Sequence, residues 1–510
     1  MGTKCSDWAY SRIVESGAEE QRIKAIYIER NQTRWAAFDL ESLIDEQHPA
    51  RTIWELSGQL NLKRFEETIK TREGAAGRPC WPARVLVSVW VYGYTVRVAS
   101  ARALERMQHH EPGLRWLTGD QQINHHTLAD FRVGHEEALK ELFAQFLALL
   151  DTAGLVDLKT LMHDGTKVKT AAGKWSFRGR KGLEKRVRAA RSVVRKLDEQ
   201  AAESEGMDER RRAARERAAR EGLDRAQKAL EQLKKLEKAA KPSEKDQQRV
   251  SVSEPEARKM KHADGGWAPS YNVQVSTEAK SRIIIAVGVT TEGNDTQQLM
   301  PALERVKENC GELPNQVIAD NGYVSRENVE QSTALKVELI APWKDAESRE
   351  AGACQRNGIA PEFAPSAFRT QRGGKKLTCP AGKTLVVVGQ KKLHGLMNNV
   401  FQAAAGDCRR CRLRQQCCGE RGGPREIRRP VESAAMKEYL SRMKRPEVKQ
   451  LYQKRSEIAE FPHMWAKAVK GWRRFSVRGL VKAGMEAIWV ALAYNVAQWM
   501  RLRKAEPAAA

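Results

Sequence analysis

The sequence predicts a mixed α/β fold (α+β) in which helices flank a sheet that two long insertions interrupt. Five apolar runs rich in β-branched residues are typical of strands: LVDLKTLMHDG, YNVQVST, RIIIAVGVTTEG, NQVIADNGYVS and KVELIAPWK. The second and third runs lie one short turn apart and predict an antiparallel hairpin. A helical run, DTQQLMPALERVKENC, separates this hairpin from the next strand. The order strand, hairpin, helix, strand, helix, strand indicates a mixed sheet with helices packed on it.

Residues 1–150 are predicted to form an all-helical N-terminal domain. Pro82 begins a dense apolar run that is typical of a buried helix, and Asn124 is a suitable N-cap for the amphipathic helix after it. A helical domain of this size suits DNA binding, although helix packing alone would produce the same pattern.

The first insertion covers residues 176–255 and is rich in Lys, Arg, Glu and Ala. Its apolar residues alternate in spacings of four and three along two runs, and a polar break around Gly206 separates the runs. This spacing predicts a coiled-coil hairpin of two antiparallel helices, and the alternative is a solvated, charged linker. The runs are Leu183, Val187, Ala190, Val194, Leu197 and Ala201, then Leu223, Ala226, Leu230 and Leu233.

The second insertion covers residues 346–435 and is rich in Gly, Arg and Cys, with one strand-like run, LVVVG. The sheet domain is then predicted to be assembled from three separate pieces of chain. Residues 151–175 and 256–345 supply its strands, and residues 436–510 supply C-terminal helices that complete it. The last of these helices is predicted to be long and buried.

The chain is strongly basic, with 89 Lys and Arg residues against 64 Asp and Glu residues and a net charge of +25. This charge predicts a polyanionic partner, nucleic acid first and an anionic membrane surface second. The longest clean apolar run, residues 85–96, is too short to cross a bilayer, and the first residues lack the apolar core of a secretory signal. We therefore expect a cytoplasmic protein that does not use a membrane. Its nine cysteines are then expected to be thiols or metal ligands.

Two aspartates follow predicted strands. Asp164 and Asp320 stand at the carboxyl ends of their strands, where the ligand-binding crevice of an open sheet lies. Two neighbouring carboxylates repel each other unless a cation lies between them, and hard divalent cations prefer such oxygen ligands. Two ions held in this way can catalyse phosphoryl transfer. The alternative for each aspartate alone is a turn residue, because Asp-Gly and Asp-Asn-Gly are common turn sequences.

The cysteines of the second insertion are spaced like metal ligands. A Cys-x-x-Cys pair with a further cysteine on each side can hold Zn²⁺ through four thiolates. The alternative is a set of free thiols on a basic loop, and Cys418 competes with its neighbour as the fourth ligand. The predicted zinc ligands are Cys379, Cys408, Cys411 and Cys417.

The segment KGWRRFSVRG interleaves basic and aromatic residues. Its cations could contact phosphates and its aromatic rings could stack on bases, or the segment could be a basic turn with two buried rings. The predicted DNA contacts are Lys470, Trp472, Arg473, Arg474 and Arg478, with Phe475 as the second ring.

Motifs along most of the chain, from about residue 50 to 504, resemble the DDE transposases of bacterial insertion sequences. PARVLVSVWVYGYTVRVASARALERM and HHTLADFR resemble the helical N-terminal domain of that family, and CPAGKTL with DCRRCRLRQQC resembles its cysteine cluster. HDGTKVKTAAG, VIADNGYVSRENVE and YQKRSEIAEF resemble its three acidic motifs. The resemblance maps the catalytic triad onto Asp164, Asp320 and Glu460.

The resemblance implies an RNase H-like catalytic domain in which the triad holds two Mg²⁺ or Mn²⁺ ions. It implies cleavage of double-stranded DNA at the terminal inverted repeats of a mobile element, then strand transfer into target DNA. A homo-oligomer assembled on DNA, associated with the nucleoid, is the implied form. By analogy and by charge, Lys167 and Arg455 are expected to contact phosphates near the triad.

The third acid has a competitor. Many family members have proline directly after the catalytic glutamate, whereas Phe461 here precedes Pro462, which leaves Glu457 as an alternative to Glu460. Pro462 predicts a helix that starts there, with Glu460 near its N-terminus. Two other functions also stay open: a nuclease of the same fold without strand transfer, and a former transposase retained as a DNA-binding protein.

Overall fold

A computed structural model describes residues 39–67, 69, 79–201, 209–343, 354–371, 374–393, 396–419 and 423–505. The first 38 residues of the predicted N-terminal domain and the break around Gly206 lie outside these ranges. Residues 43–510 fall into one compact unit, which is described below.

The N-terminal part is helical, as predicted, but its helices are shorter than the sequence suggests. Pro82 caps a helix that ends at Thr95, where Arg97 adopts a left-handed backbone with φ 68° before the next helix begins. The Asn124 N-cap is confirmed, because its side chain accepts a hydrogen bond of 2.8 Å from the Thr127 amide. The helices are α1 (Pro49–Gln59), α2 (Lys63–Glu66), α3 (Ala83–Thr95), α4 (Ala101–Met107), α5 (Pro112–Thr118), α6 (His125–Gly134) and α7 (Glu136–Thr152).

A six-stranded mixed sheet follows. Its strands are β1 (Thr160–Lys169), β4 (Arg258–Lys261), β5 (Trp267–Glu278), β6 (Ile284–Thr290), β7 (Gln316–Ile318) and β8 (Glu338–Ile340), with β2 (Phe177–Arg178) and β3 (Val250–Ser251) forming a separate pair. The predicted β5–β6 hairpin is confirmed. One edge of β5 pairs with β1 antiparallel, and its other edge pairs with β4 and β6. β1, β7 and β8 run parallel in that order.

Helices cover both faces of this sheet. On one face, α10 (Leu299–Cys310) and α11 (Arg326–Ala334) pack on β7 and β8 together with α14 (Ala434–Arg442). On the other face, α15 (Pro446–Gln453) and α16 (Arg455–Met464) pack on β1, β7 and β8. A π-helical turn, Trp465–Val469, follows α16 directly.

The last helix, α17 (Leu480–Ala505), joins the N-terminal helices to the sheet. It shares one hydrophobic core with α3, α6, α7, β5 and β6, and the Trp489 indole donates a hydrogen bond to the carbonyl of Arg132. In the described part of the chain, α17 alone is long and apolar enough to cross a membrane. Because 67% of that segment is buried, it has the character of a core helix in a globular protein.

The first insertion contains the two predicted helices, α8 (Arg180–Ala201) and α9 (Glu209–Ala239), which pack against each other. Their buried contacts lie near the base of the pair, where Leu183, Ala229 and Leu233 meet Val250 of β3. The β2–β3 pair joins the two ends of the insertion. Supercoiling of α8 and α9 remains a prediction.

The second insertion has more regular structure than the sequence predicts. It forms a five-stranded antiparallel sheet in the order β13-β12-β11-β10-β9, of which only the LVVVG run of β11 is predicted. The strands are β9 (Arg369–Thr370), β10 (Lys376–Thr378), β11 (Thr384–Leu393), β12 (Leu396–Ala403) and β13 (Glu426–Pro430). Two short helices, α12 (Ala405–Arg409) and α13 (Arg414–Cys418), connect β12 to β13.

A buried ion network ties α6 to α17. The guanidinium of Arg132 donates to the Ala99 carbonyl at 2.6 Å and to the Ser476 hydroxyl at 2.8 Å, and the backbone amide of Ser476 donates to the Glu486 carboxylate at 3.0 Å. Burial raises the pKa of Glu486, and the charge of Arg132 opposes that rise. The carboxylate therefore depends on Arg132 for charge compensation.

We expect Arg132→Met to destabilise the protein by about 3–5 kcal/mol, because it leaves the buried Glu486 carboxylate without its counter-charge. The double variant Arg132→Met/Glu486→Gln should recover much of this loss. Urea unfolding followed by tryptophan fluorescence measures both. A double variant less stable than the single one would contradict the electrostatic explanation.

Candidate active site

The register of two parallel strands brings Asp164 and Asp320 together. Met162 of β1 pairs with Ile318 of β7, and each aspartate lies two residues beyond its member of that pair. Because side chains alternate along a strand, both carboxylates point to the face where Met162 and Ile318 pack under α16. The two acids are therefore side by side at the carboxyl ends of the parallel pairing.

Asp164 itself is not at the end of its strand, contrary to the prediction. β1 continues to Lys169, because its other edge stays paired with β5 beyond the point where β7 ends. Asp320 does follow the end of β7, as predicted. Its carboxylate accepts a hydrogen bond of 2.6 Å from the Gly322 amide, so the turn role and a role in the site coexist there.

The packing around Gly165 explains why a glycine follows the first acid. A Cβ at this position would lie 2.5–2.8 Å from side-chain atoms of Gln274, Asp295 and Tyr323. The interpretation of Asp164-Gly165 as a turn is wrong, since both residues lie inside β1. The glycine instead allows the close packing of a polar group of side chains against the strand.

That polar group contains a fourth acid, Asp295, which the sequence does not single out. Its Oδ1 accepts hydrogen bonds from the side-chain amides of Asn272 at 2.7 Å and Gln274 at 2.8 Å. The Tyr323 hydroxyl donates to the Gln274 Oε1 at 2.6 Å. Asp295 lies close enough to Asp164 for its charge to raise the pKa of that carboxyl.

Positive and neutral groups from α16 face Asp164. The guanidinium of Arg455 lies 3.6 Å from Oδ1, and the His463 Nε2 lies 3.8 Å from Oδ2. Burial raises the pKa of Asp164 to about 6, Arg455 opposes this rise, and Asp320 and Asp295 add to it. Arg455 is thus engaged with the acid in this structure, whereas the sequence predicts a phosphate contact.

His463 and Lys467 are both buried beside the site. Burial and the charge of Lys467 lower the pKa of His463 to about 3, which leaves the imidazole neutral. Burial also lowers the pKa of Lys467 to about 8, and its ammonium group donates to the Thr166 hydroxyl at 2.5 Å and to the Lys167 carbonyl at 2.8 Å. Neither residue forms part of a recognisable motif in the sequence.

The two candidates for the third acid lie three residues apart on α16, about 60° from each other around the helix. Glu460 is exposed, and it lies three residues before His463, or about 60° away around the helix. Glu457 lies about 120° from His463 and forms an ion pair with Arg282. Glu460 is therefore on the side of the helix nearer to Asp164.

Pro462 does not begin a helix, which corrects the prediction made from it. It lies inside α16, which starts at Arg455, so Glu460 is in mid-helix. The packing of Ile458 and Ala459 against β1, β7 and β8 fixes the helix through the proline. Tertiary contacts here override the local preference of proline for a first turn.

The donor chemistry of the site fits a hard divalent cation. Asp164 and Asp320 are adjacent oxygen donors, and a cation between them would offset the repulsion that adds to the effect of burial on the pKa of Asp164. Across the ranges that the structure describes, no three His, Cys, Asp or Glu residues form a group close enough to hold a metal ion. The described arrangement thus brings together two of the three predicted acids.

The predicted DNA contacts separate into buried and exposed residues. Trp472 is buried and its indole donates to Glu486, so its ring is not available to stack on a base. Phe475 is also buried, and Lys470 donates to the Thr95 carbonyl. The exposed cations are Arg473, Arg474 and Arg478, and Lys167 is partly exposed.

Five of the six cysteines of the second insertion line one cavity of about 30 Å³ at the end of its sheet. The amides of Lys383 and Arg425 donate to the sulfur atoms of Cys379 and Cys408, at 3.2 and 3.5 Å. The cysteines of the cavity are Cys379, Cys408, Cys411, Cys417 and Cys418. These cysteines share one cavity, but among the described residues no three of them are close enough together to hold a metal ion, so the zinc site remains a prediction.

Two families match the chain. The transposase domain DUF772 matches residues 38–134, which include α1–α6, and the transposase DDE domain matches residues 378–500, which include Glu460. Neither the curated proteins nor the solved structures yielded a match. Both families are transposases, and transposases act on DNA. The two matches support a DDE transposase of an insertion sequence, and that family generally uses a divalent metal. Asp164 and Asp320 lie between the two matched segments.

Protonation of Asp164 should make the stability of the metal-free protein depend on pH. Its pKa rises from 3.8 unfolded to about 6 folded, so the folded state binds the proton more tightly. The resulting stabilisation is complete below pH 3.8 and is lost as the pH rises through 6. Relative to wild type, Asp164→Asn should therefore gain about 2–3 kcal/mol between pH 4 and pH 7, as measured by urea unfolding with EDTA.

Asp120→Asn is the control for this measurement. A hydrogen bond from Arg115 lowers the pKa of the Asp120 carboxyl below 3.8, so this residue titrates below the measured window and the variant should differ from wild type by a constant amount between pH 4 and pH 7. If Asp164→Asn also differed from wild type by a constant amount over this range, burial would not be the force that acts on Asp164.

Proposed function

We propose that this transposase cleaves DNA at the ends of its mobile element and joins them to target DNA, using metal ions held by an acidic triad. The observation that carries the proposal is the pairing of Asp164 and Asp320 on adjacent parallel strands under α16. The proposed substrates are the terminal inverted repeats and the target duplex, bound by more than one copy of the chain.

The strand topology supports an RNase H-like catalytic domain. Three antiparallel strands in the order β6-β5-β1 are extended by two strands, β7 and β8, that run parallel to β1. The first acid lies on the central strand and the second follows its parallel neighbour. A helix from the C-terminal part of the chain covers both, which is where the third acid of such a site belongs.

Asp164, Asp320 and Glu460 would hold the divalent cations, two Mg²⁺ or Mn²⁺ ions. When bound, such ions lower the pKa of a water molecule and stabilise the leaving oxygen of a phosphodiester. Glu460 is the better candidate for the third acid, because Glu457 is already paired with Arg282 and lies further around α16 from His463.

The neighbouring residues of the chain would orient the acids and the DNA. Arg455 and His463 flank the Asp164 carboxylate from α16, and Lys467, in the π-helical turn that follows, donates a hydrogen bond to Thr166 of β1. A scissile phosphate at the site would release Arg455 from its contact with Asp164. The exposed guanidinium groups of Arg473 and Arg474 would then contact the DNA backbone beyond Lys167.

We expect Asp164→Asn and Asp320→Asn to reduce cleavage of element-end DNA more than about 100-fold, since loss of even an outer-shell partner of a metal ligand costs 10–100-fold. DNA binding should be retained. Glu460→Gln should behave like the aspartate variants, whereas Glu457→Gln should cleave at close to the wild-type rate. A nicking assay with Mg²⁺ on labelled element ends measures all four variants.

The nicking assay and a strand-transfer assay together separate the rival functions. Incubation of a pre-cut element end with circular target DNA tests strand transfer, which a nuclease of the same fold would not perform. Full cleavage by Asp164→Asn would disprove the triad. A wild-type protein that binds element ends but never nicks them would instead be a DNA-binding protein that has lost catalysis.

We also propose that the cysteine cavity of the second insertion holds a structural Zn²⁺ ion. Among the described residues, six buried side chains form the apolar cluster of its sheet, and small domains of this kind usually need a metal or a disulfide for stability. Thiolates are preferred zinc ligands, and amide groups already donate to two of the sulfur atoms.

The purified protein should contain about one zinc ion per chain by elemental analysis, as expected for one four-thiolate site. Cys408→Ser should lose this zinc and lower the thermal midpoint of unfolding. Cys310→Ser, on α10 outside the cavity, is the matched control and should keep the zinc. A zinc-free protein whose cavity cysteines all react with a thiol reagent would show that they are free thiols.

A further inference from the structure

A cleft of about 570 Å³ lies at the base of the helical insertion. One wall is formed by α8 and α9, and another by the chain around β2 and β3. Arg478, from the loop before α17, completes it. The cleft is lined by Ser176, Arg178, Gly182, Lys185, Arg186, Ala189, Gly222, Arg225, Val252, Ser253 and Arg478.

The charged residues that line this cleft are all positive. Five of its lining residues are cations, all of them exposed, and none of its lining residues is acidic. Arg225 has a partner in Glu221 at 3.5 Å. The charge of Arg478 opposes the rise that burial causes in the pKa of nearby Glu254. No ion pair joins Lys185 or Arg186 to another described residue, and cations gathered around a concave surface attract an anion.

Gly222 leaves the α9 wall of the cleft open. It lies inside α9, where glycine is less favourable than alanine by about 1 kcal/mol. A Cβ at Gly222 would contact nothing within 4 Å, so packing within the described chain does not require the glycine. A small residue on the wall of a cleft leaves room for a bound molecule to approach the backbone.

The path of the chain connects this cleft to the acidic pair. β1 runs from Asp164 to Lys169, a distance of about 17 Å. At that end Lys169 pairs with Arg474, four residues before Arg478 in the cleft. Cations therefore occur along the chain between the acidic pair and the cleft, and the roughly 17 Å of β1 corresponds to about five base pairs of DNA.

We propose that this cleft binds the phosphate backbone of duplex DNA that flanks the site of cleavage. The proposal rests on the proposed function for its ligand class, because the strand that leads to the cleft carries the candidate catalytic acid. The cations supply sequence-independent affinity, and Gly222 gives the backbone of the DNA room to enter. The helical insertion thus acts as a clamp on DNA.

The test is a salt titration of DNA binding by the full-length protein, measured by fluorescence anisotropy without divalent metal. The probe is a labelled duplex of about 30 base pairs, between 50 and 200 mM KCl. Log K falls as log salt rises, and Lys185→Gln/Arg186→Gln should make this slope shallower by about 1.8, or 0.9 for each lost contact. Arg478→Gln should make it shallower by about 0.9. Arg188→Gln/Arg191→Gln is the matched control, because these exposed cations of α8 do not line the cleft. It should keep the wild-type slope.

Gly222→Leu tests the cleft without a change in charge. Leucine favours the helix and meets open space, so the variant should fold, and it should bind the duplex at least several-fold more weakly. An unchanged slope in the cleft variants together with unchanged affinity of Gly222→Leu would overturn the proposal. A change in molecular mass by light scattering without a change in slope would also overturn it, in favour of contacts between protomers.

The outcome for the cleft is separable from the outcome for the triad. If the cleft variants show a shallower salt dependence of DNA binding while Asp164→Asn still cleaves DNA, the cleft binds DNA and the catalytic assignment is wrong. If Asp164→Asn abolishes cleavage while the cleft variants keep the wild-type slope, the catalytic assignment stands without the clamp.

Discussion

The parallel pairing of β1 with β7 is the contact on which the candidate site depends. The pairing is only three residues long, yet it places Asp164 and Asp320 at equivalent positions on adjacent strands. A slip of one residue would turn one carboxylate to the opposite face of the sheet. Met162 and Ile318, which precede the acids in register, prevent such a slip because both are buried under α16. The apolar residues of the strands therefore fix the geometry of the polar ones.

The same burial creates an electrostatic cost. Asp164 is held where water is largely excluded and where Asp320 and Asp295 add negative charge, which together raise its pKa to about 6. Arg455 offsets this cost only in part, and the neutral imidazole of His463 adds no charge. A divalent cation would remove the remaining repulsion and favour the ionised carboxylate. Metal binding and the ionisation of Asp164 are thus expected to be coupled.

Local sequence patterns predict the helices and strands well. The errors arise where contacts between distant parts of the chain determine the structure. Alternation and turn residues predict the β5–β6 hairpin, but the extension of β1 beyond Asp164 depends on β5, about a hundred residues away in the chain. Pro462 favours a helix start locally, yet packing carries α16 through it. Trp472 lies in a basic and aromatic segment that is typical of DNA contacts, but its side chain is buried against α17. The sequence does not identify Asp295 as a site residue, because its hydrogen-bond donors come from β5 only in the folded protein.

The two insertions leave the site intact because each is closed where it joins the sheet. β2 pairs with β3 across the first insertion, so the chain leaves and re-enters at one place. After the second, the Tyr439 hydroxyl donates to the Ala341 carbonyl just beyond β8, and Arg442 contacts the Leu339 carbonyl. The length of an insertion closed in this way adds little to the entropy cost of folding, since that cost grows only slowly with loop length. Acids far apart in the sequence can therefore meet on one small sheet, while the inserted segments are free to bind DNA or a metal ion.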